Sequence, residues 1–531
     1  MDQLALLFAL LFGALVCVPL GDRLGLPSPV LMTLIGIVLA LLPFVPNVDI
    51  PPELILPVVL PPLLYASVQR TSWRQFAANK RPIFLLAVAL VFVTTAAVGV
   101  TAHAMVPGLP LAAAIALGAL VAPPDPVAAT AVAGKLGLPR RLVSILEGEG
   151  LFNDVTAIVL YHVAIAAAVS GTFSLPRAAL DLVLSAVVAV GIGLALGWAA
   201  NRLMALLGDP TLQVGLSLLV PFASYVMAEE LHGSGVLAVL TTALFLAEYA
   251  LDADDVLARL AGNTFWEVVD TLVTGVAFGL IGLELHNAVR TAEGRWIELL
   301  GWAGGTVGVV VVVRLVWLLP ASWLTKRLHA RRDVDEDIPT SLRETVVMWW
   351  SGMRGVASVA LALAVPLTMD DGAPFPDRDE IVFIAFGVIM GTLVVQGLTL
   401  PWLVRRLGVR ADEEQGRAYR RTLALRAAKA ARHRLKEIED STDIEDIPED
   451  LSEQLLRRAY EIGLRISPDL VDEERLAAQK SRVRRVRRAR HIQNEMLSAA
   501  RHAVLAARSE PGADPEIVDN VLRHLDVRSL R

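Results

Sequence analysis

The first 404 residues carry about thirteen apolar segments, most of them near the roughly 20 residues that a helix needs to cross a bilayer. In lipid every backbone N–H and C=O must find its partner inside the protein, so segments of this length are expected to pack as helices. The chain therefore reads as an all-α polytopic membrane protein. Several segments are interrupted by prolines, and ionisable residues stand inside a few of them. Those departures carry the functional argument.

Charge is unevenly placed. Only 19% of the 531 residues are charged, yet residues 411–531 hold 24 of the 48 basic and 23 of the 54 acidic residues. A soluble domain carries about a quarter charged residues. Residues 1–410 read as a transmembrane domain and 411–531 as a water-soluble helical tail, with helices expected near 415–438, 450–465, 470–508 and 514–526. The basic cluster Lys480–His491 reads as a solvated face, or as a contact for anionic lipid or the protein's own cytoplasmic surface. Acids elsewhere in the tail offset it and no aromatics interleave, so nucleic acid is not an expected partner. A lone cysteine, Cys17, excludes a disulfide within the chain and a cysteine-built metal site.

Loop charge orients the bundle. Loops after odd-numbered segments hold fifteen basic residues, among them Arg70, Arg74, Lys135, Lys326 and Arg331; loops after even-numbered segments hold four. Basic loops stay cytoplasmic, which places the N-terminus outside and the tail inside. The N-terminal run lacks the basic start and small-residue cleavage site of a signal peptide and is expected to be retained as the first membrane helix.

The chemistry concentrates in three segments. The fifth, about 111–133, contains PPDP (Pro123–Pro126); three prolines cannot all join a helical ladder, so the helix must break near mid-membrane with Asp125 in the break. Broken helices at that depth line cavities, and transporters use them to bind ions. The sixth, about 142–169, contains EGEGLFNDV (Glu147–Val155). Asn153 and Asp154 offer a carbonyl oxygen and a carboxylate, ligands for a hard cation. Desolvation and the nearby Asp125 both penalise a bare Asp154 anion, so it holds either a proton or a cation, and that competition is itself an exchange mechanism. The twelfth, about 343–367, contains WSGMRG (Trp350–Gly355), with Arg354 deep in the segment and in need of a partner. Glu149 and Glu147 are the candidates. This segment reads as the counterpart of the broken fifth in an inverted repeat. Glu267 and Asp270 read as an acidic first turn of segment ten, about 264–287. Glu229, Glu230 and His232 fall at outer segment ends, His162 reads as a packed helix histidine, and Arg314 snorkels or pairs within segment eleven.

With PPLLYASV (Pro61–Val68), PPDPVAATAV (Pro123–Val132), EGLFNDV (Glu149–Val155), FWEVVDTLVTGVAFGLIGLEL (Phe265–Leu285), WSGMRG and LVVQGLTLPWLV (Leu393–Val404) in this order, residues 1–410 resemble a prokaryotic sodium/proton exchanger of the monovalent cation–proton antiporter superfamily. The resemblance implies a homodimer in the bacterial inner membrane, without a cofactor. It implies a mobile inverted-repeat core, about 83–169 and 296–404, sliding elevator-like against dimerisation helices, about 1–68 and 179–287. It further implies Asp154, Asp125 and Asn153 at the site of the transported cation, Glu149 paired with Arg354 as a structural salt bridge, and electroneutral exchange from the Asn–Asp pattern. Gly150, Pro124 and Ala66 stand where the family often carries Ser, Thr and an acid, so oxygen ligands are lost, and K⁺ or Li⁺ join Na⁺ as candidates. An enzyme would need a zinc-protease helix or a nucleophile elbow, which the sequence lacks. A channel would need a ring of acids, which the spacing does not provide.

Overall fold

The computed structural model describes residues 2–40, 52–69, 80–127, 129–130, 137–171, 175–249, 256–291, 295–329, 341–410 and 413–439, with short stretches beyond residue 453. It divides into two compact units, Met1–Ala411 and Asp412–Arg531. No β-strand occurs among the described residues, apart from an isolated bridge between Thr368 and Pro374.

The first unit is a bundle of helices. They run α1 (Asp2–Leu24), α2 (Ser28–Ala40), α3 (Pro52–Gln69), α4 (80–105, with a π-helical stretch at Leu85–Ala89), α5 (Leu111–Val121), α6 (Arg140–Ser170) and α7 (Leu175–Leu206). Then follow α8 (Pro210–Glu230), α9 (Gly235–Tyr249), α10 (Val256–Thr291), α11 (Trp296–His329), α12 (Leu342–Trp350), α13 (Val356–Leu363) and α14 (378–407, with a π-helical stretch at Gly391–Gln396). Among the described residues eight helices are long and apolar enough to cross a membrane, and α2, α3, α5 and α9 are shorter apolar helices. Large apolar side chains face outward: Phe12, Val187, Val316 and Trp402 are between 63% and 69% exposed. Exposed apolar belts on long helices are what a lipid solvent demands.

Where helices approach closely, glycine makes room. An added Cβ at Gly36 would lie 2.2 Å from the Gly279 carbonyl oxygen, and one at Gly118 would lie 2.3 Å from that of Thr95. These contacts pack α2 on α10 and α5 on α4 backbone to backbone, the usual basis of helix association in lipid.

The feature that positions the site is a crossing of two interrupted segments. α5 stops at Val121 because Pro123, Pro124 and Pro126 remove the donors its ladder would need. α12 stops at Trp350, and α13 starts only at Val356. The two gaps meet: the Asp125 N–H donates to the Met353 carbonyl at 2.6 Å. Gly355 sits against this contact, and a Cβ there would fall 1.5 Å from Asp125 Oδ2.

One sequence expectation changes at this level. Segment ten does not open with Glu267 and Asp270; α10 begins at Val256, three turns earlier, so Asp270 lies well inside the helix. In the second unit, α15 (Glu413–Glu439) matches the expected helix near 415–438, whereas Lys480–His491 lies outside the described residues. Gly355→Ala should lower the yield of monodisperse protein in detergent more than Gly301→Ala, where an added Cβ meets nothing within 4 Å; size-exclusion profiles of the two variants check this.

Candidate functional site

At the crossing each gap supplies the charge that the other helix end needs. The exposed carbonyls at a helix C-terminus carry partial negative charge, and the free N–H groups at an N-terminus carry partial positive charge. Arg354, from the gap before α13, covers the end of α5: Nε donates to the Val121 carbonyl at 2.7 Å and Nη2 to that of Ala122 at 3.1 Å. Its Nη1 donates to the Gly352 carbonyl, and its backbone N–H donates to Thr392 Oγ1 of α14 at 3.2 Å. Asp125, from the gap after α5, covers the start of α13: Oδ2 accepts the Val356 N–H at 3.2 Å, and Oδ1 accepts the Val127 N–H at 2.7 Å.

Glu149 does not pair with Arg354, contrary to expectation. Its two oxygens accept from Arg314 of α11, at 2.5 Å from Nη1 and 2.9 Å from Nη2. Arg314 Nε and Nη2 also donate to the Met348 carbonyl, each at 3.2 Å. Arg354 is drawn instead to the free carbonyls of α5, which compete for a guanidinium as a carboxylate does. The Arg314 bridge thus ties α6, α11 and α12 together, and it settles Arg314 as a pairing residue rather than a snorkelling one. A second ion pair, Arg141 with Glu344, joins α6 to the start of α12.

Asn153 is fully buried, and its Nδ2 donates to the Pro124 carbonyl at 2.6 Å. It fastens α6 to the gap and does not line the cavity described next. Its Oδ1 is buried with no partner among the described residues.

A cavity of about 110 Å³ opens beside these ties. Asp154, Asp125, Glu147, Thr130 and Gly150 line it from α6 and the broken fifth segment, Val356 and Ala357 from α13. The facing wall is Leu60, Leu63, Leu64 and Ser67 of α3 with Asp270 and Thr274 of α10. That volume holds several waters, or a cation that keeps part of its hydration shell. Asp154 has no hydrogen-bond or ion-pair partner among the described residues, whereas Asp125 accepts two backbone N–H groups. The sequence reading missed Asp270 as a cavity residue, because Arg259, Gly262 and Asn263 read as loop and hid the true start of α10. Glu147, left without a role by the sequence, faces the same space, while Glu267 is exposed.

The apparent loss of ligands also reads differently in three dimensions. A Cβ at Gly150 would lie 2.3 Å from the Pro126 ring, so a serine has no room there while Pro126 keeps its place. The Pro124 carbonyl receives Asn153. Ala66 is buried with Tyr65, Leu151 and Trp266, and its neighbour Ser67 reaches the cavity. His162 is exposed and lies beside Tyr161, off the cavity, and the Glu229 carboxylate accepts the Gly235 N–H at 2.9 Å at the start of α9. A larger cavity, about 670 Å³ among the ends of α3 and α7–α10, has no carboxylate in its described lining. Chemistry, not size, therefore marks the candidate site.

The family described as "Sodium/hydrogen exchanger, transmembrane" matches residues 7–406. The chain belongs to this family. An uncharacterized Na⁺/H⁺ exchanger of Mycobacterium tuberculosis is 34% identical to it over 98% of this chain and 94% of the relative. A sodium, potassium, lithium and rubidium/H⁺ antiporter of Bacillus subtilis is 32% identical over 71% of this chain and 58% of the relative. The solved sodium proton antiporter MjNhaP1 of Methanocaldococcus jannaschii superposes with a TM-score of 0.58 at 19% identity, covering 77% of this exchanger and 99% of that chain; at that identity the likeness speaks for the fold. The exchanger is thus a multi-pass membrane protein with the architecture of these antiporters.

Removing one partner of a buried ion pair strands the other and costs about 3–5 kcal/mol. In this exchanger Arg314→Ala should lower the melting temperature sharply in detergent, and a second change, Glu149→Gln, should recover part of the loss. The same Glu149→Gln should not rescue Arg354→Ala, whose damage is three uncovered carbonyls, those of Val121, Ala122 and Gly352. Differential scanning fluorimetry of the single and double variants checks both statements.

Proposed function

We propose that the protein is a secondary antiporter that exchanges Na⁺ for H⁺ across the bacterial inner membrane, one for one, and so serves pH and sodium homeostasis. The observation that carries this reading is Asp154: a carboxylate facing a small cavity, without a partner among the described residues, beside an Asp125 and an Asn153 that are tied to the backbone. A lone carboxylate in such a place binds a proton or a cation, not both, and is costly when empty. If only the loaded site crosses, the two fluxes are obligatorily coupled. Asn153 is neutral and engaged with Pro124, and Asp125 is held at the start of α13, so of these three Asp154 is the one free to trade protons.

The proposed movement is a sliding of the core, about 83–169 and 296–404, against helices of about 1–68 and 179–287, which also form a homodimer. The lining of the cavity supports this division. Asp125, Asp154, Val356 and Ala357 come from the first set, and Ser67, Asp270 and Thr274 come from the second. The site lies where the two sets would slip. The broken α12–α13 pair, set against the broken fifth segment, supports an inverted repeat, and together with the eight long and four shorter helices it brings the crossings to about thirteen. With the N-terminus outside, the Glu147 end of α6 and the Ser67 end of α3 point to the cytoplasm, so the cavity is inward-facing. The tail, entered through Arg405, Arg406 and Arg410, is then cytoplasmic and fits a regulatory role, with anionic lipid or the protein's own cytoplasmic face as its contact.

A second reading, K⁺/H⁺ or Li⁺/H⁺ exchange by the same fold, draws support from the broad name of the Bacillus relative. Proteoliposomes loaded with a pH dye and challenged in turn with Na⁺, Li⁺ and K⁺ separate the two; activity with K⁺ and none with Na⁺ rules out the first. Asp154→Asn is expected to abolish exchange with every cation while keeping the size-exclusion profile of the parent. Robust exchange by that variant overturns the assignment.

A further inference from the structure

We infer that Thr274 is an oxygen ligand for the transported cation, contributed from the opposite wall of the cavity and present on one side of the transport cycle only. Threonine in a membrane helix ordinarily satisfies its hydroxyl by donating to the carbonyl four residues back. Two other threonines of α10 do so: Thr264 donates to Leu260 at 3.0 Å, and Thr271 donates to Glu267 at 2.8 Å. Thr274 is the exception. It is 8% exposed, its Oγ1 is buried with no partner among the described residues, and it lines the cavity that holds Asp154 and Asp125. A hydroxyl that forgoes an available carbonyl in an apolar interior is left with an uncompensated desolvation cost, unless something else occupies the cavity. A hard monovalent cation fits, because neutral oxygens beside carboxylates are the ligands that hard cations take. One helical turn earlier Asp270 lines the same wall, so the field at this spot favours a cation over an anion.

The placement has a consequence for direction. This inference rests on the proposed antiport reading: Asp154 belongs to the moving helices, and Thr274 belongs to α10 in the other set. When the core slides, Asp154 leaves Thr274 behind. The cation then has one neutral ligand more in the orientation described here than after crossing, and its apparent affinity differs between the two faces. The lost Ser and Thr oxygens at positions 150 and 124 are in this way partly replaced, not within the core but across the sliding interface.

The test compares Thr274→Val, which keeps shape and removes the hydroxyl, with Thr274→Ser, which keeps the hydroxyl, in inside-out and right-side-out vesicles. For Thr274→Val the KM for Na⁺ measured from the cytoplasmic face should rise about three- to tenfold, the scale of one lost hydrogen-bond-strength contact, with the maximal rate little changed. The KM from the outer face should stay as in the parent, and Thr274→Ser should restore the cytoplasmic value. An unchanged KM on both faces overturns the inference, as does an equal rise on both or a failure of the serine variant to rescue. Asp154→Asn run in the same vesicles separates the two levels. If it still exchanges, the antiport reading itself falls; if it is dead while Thr274→Val is unaltered, only the role of Thr274 falls.

Discussion

The structure depends on a trade of charge between two broken segments. A helix that ends inside a membrane leaves carbonyls or N–H groups without water, which costs several kcal/mol per group unless they are met. Arg354 meets the carbonyls of α5, and Asp125 meets the first N–H of α13. α13 has only eight residues, a length at which a helix is marginal without support from its surroundings. With both ends capped from the other chain segment, the gaps can stay open at depth, and backbone can line a cavity there. Gly355 is the steric condition for this arrangement, since any side chain would occupy the space of the Asp125 carboxylate.

Around that crossing the acids divide their work by what satisfies them. Glu149 is spoken for by Arg314 and belongs to architecture. Asp125 is spoken for by two backbone N–H groups, although one edge reaches the cavity. Asn153 locks α6 onto the Pro124 carbonyl and thereby fixes the register of the residue after it. Asp154 is that residue, and its charge has nowhere to go but the cavity. A site that exchanges ligands needs one carboxylate whose charge the protein leaves unmet, held in place by neighbours that are tied to the backbone.

Much of this was legible in the chain. Three prolines within four positions announce the broken fifth segment, and Asp154 announces itself by standing in an apolar run. The partner of Glu149 was not legible, because Arg314 and Arg354 both lie deep in apolar segments and spacing along the sequence says nothing of which one faces α6. Arg354 looked like a charge in search of a carboxylate; the alternative, carbonyls freed by the break it faces, is a tertiary fact. Asp270 was misread for a local reason. Arg259, Gly262 and Asn263 before it pass for a loop, yet they continue the helix, so an acid well inside α10 looked like one at its start. Gly150 looked like a missing ligand, whereas the neighbouring Pro126 ring leaves no room for a side chain.

The central claim is that one carboxylate, Asp154, carries either the proton or the cation. The most direct test follows the initial rate of Na⁺-driven exchange against Na⁺ concentration at a series of pH values on the same face. Competition at a single group predicts that the apparent KM for Na⁺ rises as pH falls, approaching tenfold per unit at the acidic end, while the maximal rate at saturating Na⁺ stays constant. A maximal rate that falls with pH at fixed KM would mean that proton and cation occupy different groups, and would contradict the account.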